Sequence, residues 1–170
     1  RPAAIAIHAR TVKELSVVPA HWDAIGRAAA QAAGSGIPII GNGDVRDLDH
    51  ARALAAQTGA DGVMLGRAIF GNPWLFSATV RRDDLPLEVV LQALLEHALV
   101  FELLLGAEKN FAQMRRHFKA YVSAFDGAKA LRMALMETES PDDVQRLLHP
   151  FIGADAVTAA RETAQRLATA

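Results

Sequence analysis

Two segments of the chain have the composition of phosphate-binding loops. The first, Gly41–Asp44 (GNGD), follows the apolar run Ile37–Ile40. The second, Gly66-Arg67, follows the run Gly62–Leu65. Glycine lets backbone N–H groups turn toward a ligand, and a helix that follows favours an anion there. One such loop is equally an ordinary strand-to-helix turn. Two in succession, the second with an arginine fork suited to phosphate, predict a phosphate site.

A histidine and an arginine follow the first apolar run, Ala3–His8. Alternation along a strand would send His8 and Arg10 out on the same side, toward the edge with the glycine loops. Imidazole there can hydrogen-bond a phosphate or a ring oxygen, and Arg10 can meet a second anion. Taken alone, the two residues favour a simpler interpretation, in which His8 hydrogen-bonds neighbouring backbone groups and Arg10 lies in solvent.

The first 80 residues alternate short apolar runs with helical patterns over Ala20–Ala33 and Asp47–Thr58. Gly59 stands where a glycine commonly ends a helix. Strands separated by helices predict parallel β/α units. Three strands do not close a barrel, and the chain enters at once on a strand pattern. We therefore expect residues 1–80 to be part of a larger barrel, cut from a longer chain, with a small open sheet as the alternative.

The second half reads as an all-helical domain, residues 87–170, which follows the charged linker Arg81–Pro86 (RRDDLP). Ser140 followed by Pro141 and two acids predicts a helix start. The predicted helices are Leu87–Leu105, Glu108–Ala124, Ala128–Thr138, one that begins at Ser140, and Ala154–Leu167.

A basic segment lies within this helical half. Residues 107–132 contain six basic and two acidic side chains, whereas the whole chain has a net charge of −1. On the helix predicted over 108–124, Lys119 follows Arg115 by four residues and Arg116 by three, so the three basic side chains cluster on one face. The neighbouring face is apolar and must be buried; it carries Phe111, Met114, Phe118, Tyr121 and Phe125. The basic face predicts an anionic partner, with plain solvation as the alternative.

The composition excludes several classes of site. The chain contains no cysteine, so disulfides, thiolate zinc sites and a cysteine nucleophile are excluded within it. No apolar run approaches the roughly 20 residues of a membrane helix, and no signal peptide is visible, so we expect a cytoplasmic protein. No metal is expected, because the histidines lack ligand spacing and the acidic residues look like a solvated helix cap: Glu137, Glu139, Asp142 and Asp143.

The order and spacing of these motifs resemble the last three barrel strands of tRNA-dihydrouridine synthases. The motifs are IAIHART, IPIIGNGD and DGVMLGRAIFGNPWLF, of which the last is the most specific. In the helical half, MRRHFKAY and FDGA are similar to the family's basic helix and glycine turn. The resemblance covers roughly residues 3–148. Ala120, Asp126 and the loop Lys13–Pro19 depart from the common pattern, which points to a divergent branch.

The resemblance implies the C-terminal part of a (β/α)₈ TIM barrel followed by a helical, tRNA-binding bundle. It also implies an FMN enzyme, recharged by NADPH, that reduces the 5,6 double bond of uridines in tRNA. The residues implied to bind the flavin are His8, Asn42, Gly43, Asp44, Gly66 and Arg67. The residues expected to contact substrate or tRNA are Arg10, Arg115, Arg116 and Lys119.

The family's catalytic cysteine lies on an earlier barrel strand, in the N-terminal barrel half that this chain lacks. The chain should therefore hold half a cofactor site and no proton donor. Two other interpretations remain open. Another phosphate-binding barrel enzyme, either a flavin oxidoreductase or an isomerase, would explain the glycine loops but not the basic helices. A non-catalytic RNA-binding fragment would explain the basic helices, with the barrel piece as a remnant.

Overall fold

The computed structural model describes residues 1–169, which form three parallel strands and six α-helices. The chain divides into two compact units, one of residues 1–69 and one that begins at Phe70. The division falls before the predicted linker, Arg81–Pro86. No helix among the described residues is both long and apolar enough to cross a membrane.

The first unit consists of three strands and two helices in strict alternation. The elements are β1 (Ile5–His8), α1 (Trp22–Ala32), β2 (Ile39–Asn42), α2 (Leu48–Thr58) and β3 (Gly62–Met64). The strands are parallel and pair in the order β1-β2-β3, as the alternating pattern predicts. The core between sheet and helices is built from Trp22, Ile25, Ile39, Val45, Ala51 and Leu54.

Local capping sets the limits of α2. The Asp47 side chain accepts the N–H of His50 at 2.7 Å and caps the first turn. Gly59 ends the helix with a left-handed φ of 71°, which confirms the predicted C-terminal glycine. Strand β2 starts later than predicted and includes Gly41 and Asn42, which were expected to lie in a loop. A side chain at position 41 would clash, because a β-carbon there would lie 2.5 Å from the Trp22 ring.

The second unit is helical. Its elements are α3 (Leu87–Leu105), α4 (Arg115–Tyr121), α5 (Ala128–Met136) and α6 (Pro141–Ala168). The helix α6 begins at the predicted Ser140 cap, whose hydroxyl accepts the N–H of Asp143, and it kinks at Gly153, where φ is 74°. The two long helices pack against each other, and α4 and α5 close the core. Its fully buried side chains include Leu91, Leu94, Leu95, Met114, Phe118, Val122, Leu135, Val144 and Leu148.

The single helix predicted over Glu108–Ala124 is wrong. A 3₁₀ turn, Phe111–Met114, precedes α4, and α4 has only seven residues. Asn110 causes the break, because its side chain accepts the N–H of Ala112 at 2.8 Å and starts a new turn. The predicted apolar face is nevertheless buried at Phe111, Met114, Phe118 and Tyr121, while Phe125 is half-buried against the same core.

The segment that precedes α3 packs against the C-terminal end of α4 through Gly71 and Arg82. Gly71 has a φ of 68°, and a β-carbon there would lie 2.5 Å from the carbonyl carbon of Ala120. Arg82 donates to the carbonyls of Gly71 at 2.7 Å, Ala120 at 3.2 Å and Tyr121 at 3.1 Å. A cation at these carbonyls satisfies the C-terminal end of a short helix. Arg82 is therefore a structural residue, although the sequence places it in a charged linker.

Candidate functional site

The carboxyl ends of the three strands are aligned at one edge of the sheet. His8 is in register with Asn42, and Asn42 is in register with Met64. The Asn42 side chain donates to the carbonyl of Met64 at 2.8 Å and thereby ties the ends of β2 and β3 together. Because the strands are parallel, the two glycine loops that follow β2 and β3 begin side by side at this edge. We call this edge the strand-end site.

The loop after β2 is held in a shape that only glycine fits. Gly43 has a φ of 139°, and a β-carbon there would lie 3.0 Å from Cβ of Ala20 and 3.3 Å from Cβ of Ala9. The indole N–H of Trp22 donates to the Gly43 carbonyl at 2.9 Å. The backbone of the GNGD segment is therefore fixed by its own packing, as a preformed anion site requires.

Asp44 is the electrostatic centre of the strand-end site. Its carboxylate accepts hydrogen bonds from the guanidinium groups of Arg10 and Arg67 and, at 3.2 Å, from the N–H of Ala20. The hydrogen bond from Arg10 lowers the pKa of Asp44 below its ordinary value, so this carboxyl is ionised at neutral pH. Asp44 also has a positive φ of 50°, a conformation that its short polar side chain tolerates.

Arg10 lies behind Asp44 and does not project into solvent. Its side chain is only 5% exposed, and Nε donates to the carbonyl of Val18 at 2.5 Å. The sequence suggests that Arg10 contacts substrate or flavin, and that role stays a prediction. The structure gives Arg10 a different task, which is to hold the carboxylate that contacts Arg67.

His8 is exposed at the end of β1 and has a defined tautomer. Its Nδ1 lies 3.1 Å from the backbone N of Arg10 and accepts that N–H. A neutral imidazole that accepts at Nδ1 carries its proton on Nε2. His8 therefore presents an N–H donor at the strand-end site.

Gly66 and Arg67 form the open side of the strand-end site. Arg67 begins a short 3₁₀ turn, and its side chain is 67% exposed, while one of its Nη atoms lies 3.2 Å from Asp44. Apart from Gly66 itself and its two chain neighbours, no described atom lies within 4 Å of where a β-carbon of Gly66 would be. The two arginines and one carboxylate leave one net positive charge. An accessible guanidinium, an open glycine and net positive charge fit the phosphate end of a nucleotide cofactor.

The second candidate site is a basic groove in the helical unit. It has a volume of about 420 Å³, and no acidic residue lines it. The helix α4 contributes Arg115, Arg116 and Lys119, the three predicted residues, which the structure brings together. The remaining lining residues belong to α5, and the sequence reasoning did not assign them a place in this site. They are Lys129, Arg132, Met133 and Met136, all at helical steps of three or four.

Internal bonds fix part of the basic groove. Arg132 donates to the carbonyl of Val122 at 2.8 Å, and Arg116 to that of Gln113 at 3.3 Å. The Nε of Arg115 is buried and has no hydrogen-bond partner among the described residues.

A partly buried cluster of aromatic and imidazole rings lies elsewhere in the helical unit. The ring of His117 lies 4.7 Å from that of His97 and 4.9 Å from that of Phe70. Burial lowers the pKa of His97 to about 4 and raises that of Tyr121 to about 12. The Tyr121 hydroxyl lies 3.4 Å from Nδ1 of His97. Both groups are neutral at pH 7. No group of three or more potential metal ligands occurs in residues 1–169.

The sequence of this chain is similar to those of known proteins. A family model for dihydrouridine synthases matches residues 3–163. A probable tRNA-dihydrouridine synthase of Mycobacterium tuberculosis (strain H37Rv) is 34% identical over 170 residues, which cover 94% of this chain and 43% of that protein. One of Staphylococcus epidermidis (strain ATCC 12228) is 38% identical over 153 residues, which cover 88% of this chain and 46% of that protein. The chain thus spans less than half the length of these relatives.

Proposed function

The chain belongs to the dihydrouridine synthase family, and on that premise we propose that it is the C-terminal part of an enzyme that reduces uridines in tRNA. The relatives that carry this name match along nearly the whole chain. The observation that carries the proposal is the strand-end site, where Gly66 and Arg67 stand open beside the Arg10–Asp44 pair. In this proposal the protein works in the cytoplasm.

The first unit is proposed to be the last three β/α units of a TIM barrel. A parallel, three-stranded sheet with β1 and β3 at its edges supports this assignment. The edge strands expose Ile5 and Met64, which are 40% and 46% accessible. Exposed apolar edge strands are unfavourable in a protein that ends there, and the preceding barrel strands would cover them. The residues from 87 onward are proposed to be the helical tRNA-binding domain.

The strand-end site is proposed to hold the phosphate end of FMN. Arg67 would provide a two-pronged donor to the phosphate, the backbone at Asn42, Gly43, Asp44 and Gly66 would line the same site, and the imidazole of His8 would contact the flavin. When bound and reduced by NADPH, the flavin supplies a hydride to the uracil ring. This chain's share of the work is to bind and orient the cofactor. The proton donor, a cysteine in this family, must come from residues outside the chain.

The basic groove is proposed to contact the tRNA. Lys119 and its neighbours Arg115 and Arg116 would bind phosphates, so their contribution to affinity should fall as salt rises. The absence of acids from the groove lining supports this assignment, because no carboxylate there competes with phosphate. Such contacts position the substrate while a base leaves its stack to reach the flavin.

The proposal is tested by assaying the full-length protein that contains this chain for dihydrouridine in tRNA, with FMN and NADPH present. We expect uridine to be converted in the wild type and conversion to drop at limiting FMN in Arg67→Ala. Arg52→Ala removes an exposed arginine of α2, with a side chain 72% accessible, and should leave conversion unchanged. Tight RNA binding without conversion would contradict the proposal and favour a non-catalytic RNA-binding protein.

A further inference from the structure

We propose that the basic groove binds an unpaired nucleotide, whose base lies against Met133 and Met136 while its phosphates meet the surrounding cations. This inference deepens the proposed function, since it rests on RNA as the partner. It goes further in assigning the groove to bases in single-stranded RNA and not to the backbone of a duplex. The groove lies entirely in the helical unit, between α4 and α5.

The charge of the groove selects a polyanion. Three cations come from α4, and Lys129 and Arg132 come from α5, with no acid in the lining. The cations of α5 are three residues apart and therefore lie on the same helix face. Phosphate oxygens are the acceptors that suit several guanidinium and ammonium groups at once.

The floor of the groove, formed by Met133 and Met136, is apolar. A groove that bound only phosphates would not need such a surface. Met133 and Met136 lie on the same face of α5 as the two cations and are 64% and 43% exposed. Apolar side chains gain nothing from phosphates, which keep their hydration on an open surface. Methionine does make favourable contacts with aromatic rings through its polarizable sulfur. Every nucleobase has such a ring face, and the contact needs no particular base sequence.

The requirement for an unpaired nucleotide follows from this floor. In an RNA duplex the ring faces of the bases are covered by their stacked neighbours, so only loops, bulges and single strands present them. The volume of about 420 Å³ lies within the range of roughly 300–1,000 Å³ typical of small-ligand sites. The groove therefore has room for a base beside its phosphates. Loops of a folded RNA would meet this requirement, whereas its helical stems would not.

The test uses the full-length protein that contains this chain and three fluorescent RNA probes of equal phosphate number. The probes are a single-stranded oligouridylate, a duplex, and an oligomer of abasic ribose phosphates. We expect the oligouridylate to bind about two- to tenfold more tightly than the abasic oligomer, the range expected for one sulfur–aromatic contact. The duplex should bind no better than the abasic oligomer.

Variants separate the contribution of the two methionines to RNA binding from that of the surrounding cations. The double variant Met133→Ala/Met136→Ala should abolish the preference for bases and leave binding of the abasic oligomer unchanged. Lys119→Ala should weaken all three probes and lower the salt dependence of single-strand binding by about 0.7 in log–log slope. Leu104→Ala removes a leucine of α3 that is 56% exposed and does not line the groove, so it should change nothing. Circular dichroism confirms that each variant is folded.

Three results would overturn the inference. Equal affinity for oligouridylate and the abasic oligomer would mean that the groove binds phosphates and not bases. An unchanged base preference in the double methionine variant would place the base elsewhere. Binding of an acidic peptide but of no RNA probe would make the partner a protein. These outcomes are independent of dihydrouridine formation, so an enzyme that reduces tRNA but lacks base preference in this groove contradicts only the present inference.

Discussion

The two candidate sites handle their positive charge in opposite ways. In the strand-end site, Arg10 and Arg67 share one carboxylate, Asp44, so one of their two positive charges is neutralised before any ligand arrives. In the basic groove, five cations gather without any acid in the lining. The strand-end site thus presents one oriented guanidinium, and the groove presents a diffuse positive field. The first arrangement suits a single phosphate in one geometry, and the second suits a flexible chain of phosphates.

The two units also differ in what holds their sites in place. The strand-end site relies on side-chain hydrogen bonds among polar residues at the end of a small sheet. The groove rests on a continuous apolar core, with Arg82 and Arg132 bonded to carbonyls at the end of α4. Charge substitutions should therefore act on ligand affinity in the first unit. In the second, the large effects on stability should come from the contacts that place α4.

The largest expected effect on stability is at Gly71. Gly71→Ala should lower the free energy of unfolding by about 2–4 kcal/mol, because a left-handed φ and a backbone clash with Ala120 combine. Gly127→Ala is the matched control in the same unit, since Gly127 has a φ of 83° but no described atom within 4 Å of a β-carbon. It should cost about 1–2 kcal/mol. Equal losses in urea denaturation would show that Gly71 does not fix the position of α4.

A second prediction concerns whether loss of the Asp44 carboxylate strengthens or weakens FMN binding. Loss of a carboxylate near a phosphate should tighten FMN binding if only charge mattered. We expect Asp44→Asn in the full-length protein to weaken FMN binding about tenfold, or about 1.4 kcal/mol, because Arg67 loses its orientation. Asparagine tolerates the same left-handed backbone, so the shape of the loop is retained. Asp23→Asn, at an exposed ion pair of α1, is the control and should have no effect. Tighter FMN binding in Asp44→Asn would refute the positioning role.

The pH dependence of the helical unit gives a third effect, of comparable size. Burial lowers the pKa of His97 to about 4, and in the unfolded chain its pKa is about 6.5. Below about pH 6.5 the unfolded chain binds a proton that the folded unit rejects, so stability falls until about pH 4. Between pH 7 and 5, we expect wild type to lose about 1–2 kcal/mol more than His97→Gln.

Circular dichroism in urea measures this difference. His149→Gln, at an exposed position of α6, is the matched control and should behave as wild type. If His97→Gln loses as much stability as wild type on acidification, the acid sensitivity arises from other groups.

Sequence patterns predicted the elements that depend on neighbouring residues. Apolar runs separated by helices predicted three parallel strands, and Gly59 and Ser140 predicted a helix end and a helix start. These signals are local, because a cap or a turn is decided within four or five residues. The same holds for the apolar face that includes Phe111 and Phe118, whose spacing alone demands burial. The family resemblance was carried by the loops after β2 and β3, and the family match confirms it.

The features that were missed depend on partners far apart in sequence. Arg10 lies 34 residues from Asp44, and Arg82 lies 38 and 39 residues from the carbonyls that it binds. Periodicity assigns a charged residue to a face but does not reveal which distant oxygen it meets. The break at Asn110 was missed because a side-chain cap competed with a strong helical period. The sequence analysis assigned no role to Met133 and Met136, and only the structure shows that they are exposed beside the cations.

The most direct test of the strand-end site compares FMN with riboflavin, which is the same ring system without the phosphate. Both are titrated by fluorescence into the full-length protein, as wild type and as Arg67→Ala. We expect Arg67→Ala to weaken FMN by about 1.5–3 kcal/mol and to leave riboflavin within about twofold of wild type. Arg67→Lys should restore part of the loss, because a point charge replaces a two-pronged donor. Equal weakening of both ligands, or of neither, would contradict the assignment of Arg67 to the flavin phosphate.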